Sequence, residues 1–196
     1  MSEITPEDGE TAVRAARRYA EAEVVGKTID IGFPPSFDAP RGVFVTISEY
    51  PSGHLRGCIG YAEPVLPLKT AVRSSAVAAC HDPRFPPLTP KEAAECTFEV
   101  TVLTPPETVV FSSSAELLSK IEIGVDGLTI GFRGKRGLLL PQVPVEWGWD
   151  AEEYLAHLSV KAGLPEDAWK RPGIIIEKFR GEIYSESSPN GEIVRK

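Results

Sequence analysis

Two β-rich runs on either side of a short turn commit this chain to an antiparallel sheet. Gly42-Val43-Phe44-Val45-Thr46-Ile47-Ser48 is dense in β-branched and aromatic residues, Tyr50-Pro51-Ser52-Gly53 is turn chemistry, and His54-Leu55-Arg56-Gly57-Cys58-Ile59-Gly60 follows at once. Strands joined this closely pair as a hairpin. Side chains alternate along a strand, so Leu55 and Ile59 are predicted to enter a core while His54, Arg56 and Cys58 share the opposite face. Gly57 and Gly60 mark a bulge, or places where a ligand or another stretch of backbone comes close.

A thiol between two potential cations is a chemical proposition. Free cysteine ionises near pH 8.5, and a neighbouring Arg or protonated His stabilises the thiolate, which is the nucleophile. The same residue also reads as a small buried hydrophobe, and both readings stand at this point.

The rest of the chain supplies helices and further strands. Thr5-Pro6-Glu7-Asp8 combines a capping hydroxyl, a proline at the first helical position and carboxylates at the positive end of the helix dipole. Val13, Ala16, Ala20 and Val24 recur at helical spacing, and Gly26 is a stop. Leu68, Ala71, Val72, Ser75, Ala76 and Ala79 form a second, alanine-rich helical face. It runs into the rigid loop Asp82-Pro83-Arg84-Phe85-Pro86-Pro87, where Asp82 either caps a turn or, near Cys58 and His54, completes a set of nucleophile, base and orienting group. Thr97 to Leu103 is a strand with Phe98, Val100 and Val102 on one face. Glu99, on the other, is a counter-ion for Arg56 or faces water.

Pro105-Pro106 marks a change of region. Strands are predicted over 123–132 and 137–141, a helix over 151–162, and strands over 174–179 and 182–184 that return to the main sheet. Strands and helices do not alternate regularly, so the fold class is α+β with a mainly antiparallel sheet.

Composition removes several functions. A net charge of -7 over 196 residues argues against a grip on the nucleic-acid backbone, which needs clustered Lys and Arg. The acidic start has no signal-peptide pattern, and no run reaches the roughly 18 apolar residues of a membrane span, which places the chain in the cytoplasm. Cys58, Cys80 and Cys96 are an odd number at unrelated spacings, suited to free thiols. Arg133-Gly134-Lys135-Arg136-Gly137 lacks the Ser or Thr and the following helix of a phosphate loop, and reads as a hairpin turn. Glu153 and His157 supply only two of the about three ligands that a catalytic metal needs, so no metal is expected. No motif calls for a cofactor. Trp147 and Trp149 read as packing residues.

Leu55-Arg56-Gly57-Cys58-Ile59-Gly60, followed by Asp82-Pro83-Arg84-Phe85, Leu140-Pro141-Gln142-Val143, and Trp147 ahead of Lys161-Ala162-Gly163-Leu164, resembles the AMMECR domain family over nearly the whole chain. The resemblance implies two lobes. The larger, 1–104 with 173–196, would carry an antiparallel sheet built from both chain ends, and the smaller α/β lobe, 105–172, would be inserted between them. It also implies that the six-residue motif lies near a cleft, and an association with Memo-like and radical SAM proteins.

The functional expectation is an enzyme or enzyme subunit in a modification or redox pathway. Cys58 would be its nucleophile or redox thiol, Arg56 would lower the thiol pKa or bind an anionic group, and His54 or Asp82 would move protons. Gly57, Gly60, Arg84, Glu99 and Gln142 are the expected ligand contacts. The alternatives are a non-catalytic module for an anionic small molecule or nucleotide-like ligand, and an adaptor for a partner protein.

Overall fold

The computed structural model describes residues 4–196; Met1, Ser2 and Glu3, part of the acidic start, lie outside the described residues. The chain divides into two compact units, Met1–Thr104 with Glu182–Lys196, and Pro105–Gly181.

The first unit opens with α1 (Pro6–Glu23), whose Thr5 hydroxyl accepts from the Asp8 N–H while the Asp8 carboxylate accepts from the Thr5 N–H. The hairpin follows as β1 (Val43–Glu49) and β2 (Leu55–Tyr61), then α2 (Leu68–Ala79), α3 (Pro90–Glu95) and β3 (Cys96–Leu103). The second unit holds β4 (Glu107–Thr108), α4 (Ser114–Ser119), β5 (Gly127–Phe132), β6 (Lys135–Leu139), α5 (Gln142–Trp147), α6 (Ala151–Lys161) and β7 (Ile175–Phe179). The chain then returns to the first unit through β8 (Gly181–Glu186) and β9 (Ile193–Arg195).

Five strands in the order β2-β1-β3-β8-β9 make the first sheet, with β1 antiparallel to both β2 and β3. Val43, Val45 and Ile47 of β1 and Phe98, Val100 and Val102 of β3 point to one face and are buried with the apolar sides of α1 and α2. The six residues read as the inner face of α2, Leu68 through Ala79, are its six buried positions. Phe44, Thr46, Ser48, Thr97, Glu99 and Thr101 form the opposite, half-buried and mostly polar face.

A buried polar hub ties this unit together. The Arg17 guanidinium on α1 donates to the Glu186 carboxylate at 2.6 and 2.5 Å and to the carbonyls of Ala93 and Cys96, and its carbon lies 4.6 Å from the Phe98 ring centroid. Glu186 also accepts from the Phe98 N–H. One ion pair thus reaches α1, α3, β3 and β8, and every hydrogen bond satisfies a group removed from water.

The second unit is built on a sheet of order β4-β7-β5-β6, whose core contains Leu128, Ile130, Tyr154, Leu155, Leu158, Trp169 and Ile176. The strand predicted to begin at Ile123 begins at Gly127, because 123–125 is a turn closed by the Asp126 N–H donating to the Glu122 carbonyl. Arg133 and Gly134, at φ of +47° and +81°, make the β5–β6 hairpin turn. β7 was expected in the main sheet and instead pairs with β4 and β5; its partly buried alternation suits the second core. α3, α4 and α5 are short helices that apolar periodicity did not reveal. No helix of the described residues is long and apolar enough to cross a membrane.

Candidate functional site

Cys58 sits on the polar face of the first sheet, half-buried. It lies at the edge, since β2 is an outer strand. In the register Thr46 faces both Cys58 on β2 and Glu99 on β3, so the three form one row across the sheet. The Thr46 hydroxyl donates to Cys58 Sγ at 3.2 Å. That closeness follows from the pairing. The Cys58 peptide groups turn away from β1, which marks Thr46 and Cys58 as a pair without mutual backbone bonds, the closer of the two antiparallel arrangements.

The outward peptide groups are taken by the loop after α2. Cys58 N–H donates to Asp82 Oδ2 at 2.9 Å, and Arg84 Nη2 donates to the Cys58 carbonyl at 3.3 Å. Asp82 and Arg84 are also joined to each other, with Arg84 Nε on Oδ1 at 3.0 Å, Nη2 on Oδ2 at 2.6 Å, and the Arg84 N–H on Oδ1 at 3.0 Å. Pro83 between the two residues and Pro86-Pro87 after them stiffen this segment. The Arg84 guanidinium, followed by the N–H groups of Cys58 and Arg84, holds the Asp82 carboxyl well below the usual carboxylate range despite its burial. A carboxylate held this way has no proton to give near neutrality; it anchors, and the expected part in proton transfer does not fit it.

Arg56 departs from the expectation. The register shifts between Ile47 and Ser48, so that Ser48 pairs with Leu55 and Arg56 is passed over. This bulge reverses the alternation at the start of β2: Leu55 is 39% exposed and Arg56 only 6%. Arg56 instead reaches α3, donating to both Glu92 carboxylate oxygens at 2.9 and 3.2 Å and to the Pro87 carbonyl. The pair holds the Glu92 carboxyl down at about 2, with the Thr89 hydroxyl assisting. Glu92, which the sequence reading did not single out, is therefore the counter-ion of Arg56. Glu99 binds Lys196 Nζ at 2.5 Å. The capping pattern Thr89-Pro90-Lys91-Glu92 was the available signal for Glu92.

His54 stands before β2 with its side chain 79% exposed, 3.8 Å from the Glu49 carboxylate. It is four residue steps from Cys58, roughly 13 Å at the usual rise. Gln142 lies on α5 in the second unit. Gly57 and Gly60 are tight for internal reasons. A Cβ on Gly57 would meet the Ala79 carbonyl oxygen, at the end of α2, at 2.3 Å, and one on Gly60 would meet the Val43 carbonyl oxygen at 2.2 Å. Phe85 receives both cations, with the guanidinium carbons of Arg56 and Arg84 at 5.9 and 5.6 Å from its centroid.

The other two thiols differ in kind from Cys58. Both are buried on the helix-covered side, where burial pushes Cys80 up to about 12 and raises Cys96. No group of three or more His, Cys, Asp or Glu among the described residues is arranged to hold a metal ion.

An α+β protein with an edge-strand thiol framed by an Asp–Arg pair is the class that this fold and site define. The chain belongs to the AMMECR1 family, whose model matches residues 10–184. It is 50% identical over 198 residues to Protein MJ0810 of Methanocaldococcus jannaschii, covering 100% of this chain and 98% of that one. A protein of Methanococcus aeolicus is 46% identical and is covered throughout. The crystal structure of the uncharacterized protein PH0010 from Pyrococcus horikoshii matches with a TM-score of 0.77 at 45% identity, covering 98% of each chain.

Proposed function

We propose that the face around Cys58 binds a small anionic ligand, with Arg84 as the anion contact and the Cys58 thiol beside it. The observation that carries this reading is the state of the Arg84 guanidinium. Its Nε and Nη2 are committed to Asp82 and the Cys58 carbonyl, while Nη1 has no protein partner among the described residues and the side chain is 55% exposed. A guanidinium oriented by a carboxylate, with donors left over, is prepared for a carboxylate or phosphate oxygen at little ordering cost.

The test is an NMR titration of the protein with inorganic phosphate and with adenosine monophosphate. Saturable shifts at Arg84 Nε–H and the Cys58 amide, abolished in Arg84→Gln, are expected. Shifts that persist in that variant would sink the reading.

A second reading makes Cys58 a reactive thiol in a modification or redox step. The Thr46 hydroxyl favours it, because it sets a hydrogen-bond donor 3.2 Å from a half-buried sulfur on an outer strand.

A further inference from the structure

Trp147 and Trp149, read from sequence as packing residues, are arranged differently. Trp147 is 69% exposed. It ends α5, Gly148 turns the chain at φ +69°, and the Trp149 N–H closes the turn on the Pro144 carbonyl at 2.8 Å. The turn brings the two indoles together, with centroids 6.0 Å apart and planes 18° apart. Below them His157 of α6 lies 3.8 Å from Trp149 at an interplanar angle of 7°. Trp149 is anchored against the core of the second unit. The result is a column of three near-parallel rings whose last indole stands in solvent.

The chain segment that carries it is rich in carboxylates. Between residues 137 and 160 there are four carboxylates, Glu146, Asp150, Glu152 and Glu153, and no Lys or Arg. Asp150 and Glu153 are used in capping α6, and Glu152 pairs with Lys170. The Glu146 carboxylate, next to Trp147, has no ion pair or hydrogen bond among the described residues, and the neighbouring Val145 is 59% exposed. An exposed electron-rich ring with an unpaired carboxylate at the preceding residue suits a guanidinium: the ring takes the planar cation, and the carboxylate supplies the opposite charge.

We infer that this column is a docking point for an arginine side chain in a basic segment of a partner protein. The site is separate from Cys58 and does not rest on the anion-binding proposal.

The probe is a decapeptide of alternating Arg and Gly, with the matching Glu-Gly peptide as control, followed by the indole N–H resonances of the full-length protein. Saturable, salt-sensitive shifts at Trp147 with the Arg peptide alone are expected. Binding measured by calorimetry should weaken about two- to fivefold in Trp147→Ala, the loss of one exposed cation–ring contact, and weaken also in Glu146→Lys. Both positions are exposed, so thermal unfolding should be unchanged in these variants. Equal response to the Glu-Gly peptide, undiminished binding in Trp147→Ala, or no saturable shift at millimolar peptide would each overturn the inference.

Discussion

The Asp82 carboxylate accepts a hydrogen bond from the Cys58 peptide N–H at 2.9 Å, across 24 residues of sequence. Because Arg84 takes the carbonyl of the same residue and is itself forked onto Asp82, one ion pair holds both outward backbone groups of Cys58.

Acid should therefore act on Asp82. Its folded pKa lies below its unfolded value of about 3.9, so its contribution to stability is complete above that pH and is lost as pH falls toward the folded value. Glu92 acts in the same direction, between its unfolded value of about 4.3 and about 2. Urea midpoints measured from pH 7 to pH 2 should fall below about pH 4. The fall should be shallower in Asp82→Asn, which should already be less stable at pH 7; an identical slope would mean that the pair contributes nothing.

Arg56→Met tests whether this arginine holds the fold or activates the thiol. It removes two charged hydrogen bonds to Glu92 and should cost about 1–3 kcal/mol in denaturant unfolding. The alkylation rate of Cys58 in the native state should stay as it was. A large slowing at unchanged stability would restore the activating role.

The three thiols should separate kinetically. Iodoacetamide is expected to label Cys58 in the folded protein, while Cys80 and Cys96 stay unlabelled until urea unfolds it, since both are buried thiols with raised pKa values. Thr46→Val should slow labelling of Cys58 by removing the hydroxyl from sulfur. Peptide mass spectrometry over time reads all three sites, and labelling of Cys80 alongside Cys58 would contradict the geometry.

Gly57→Ala should be poorly tolerated, because its Cβ would meet the Ala79 backbone oxygen rather than a flexible side chain. Overpacking of this kind costs about 1–3 kcal/mol. A Tm equal to that of the parent protein would show that α2 can shift away from β2.

Arg17→Met leaves Glu186, whose side chain is fully buried, with only the longer contact to Arg14 at 3.9 Å and should cost about 3–5 kcal/mol. Adding Glu186→Gln should recover part of the loss by removing the stranded charge. Strictly additive losses in the double-mutant cycle would refute the hub.

Much of this was legible in the sequence. The hairpin, the inner face of α2 and the alternation of β3 follow from periodicity, which reports burial. The side of the sheet on which Arg56 lies does not, because the bulge opposite Ile47 and Ser48 inverts the faces at the start of β2, and no local signal distinguishes Leu55 outward from Leu55 inward. Charge partners were harder still. Glu92 and Glu99 both lie ahead of Arg56 in the chain, and only the placement of α3 selects the first. Ile174 to Phe179 has the composition of a strand in either sheet, so its pairing with β5 was invisible. Trp147 failed for the opposite reason: apolar character predicts burial only on average.

The Asp82–Arg84 loop has one more effect. An outer strand is where sheets of separate molecules find each other, since its unpaired N–H and C=O groups will accept any extended chain. At Cys58 both groups are already occupied by side chains that imitate a neighbouring strand without being one. The rim of the sheet is closed to strand addition at the very residue whose side chain stays reachable from solvent, so a crowd of identical copies has no backbone handle there while a small molecule still has the thiol.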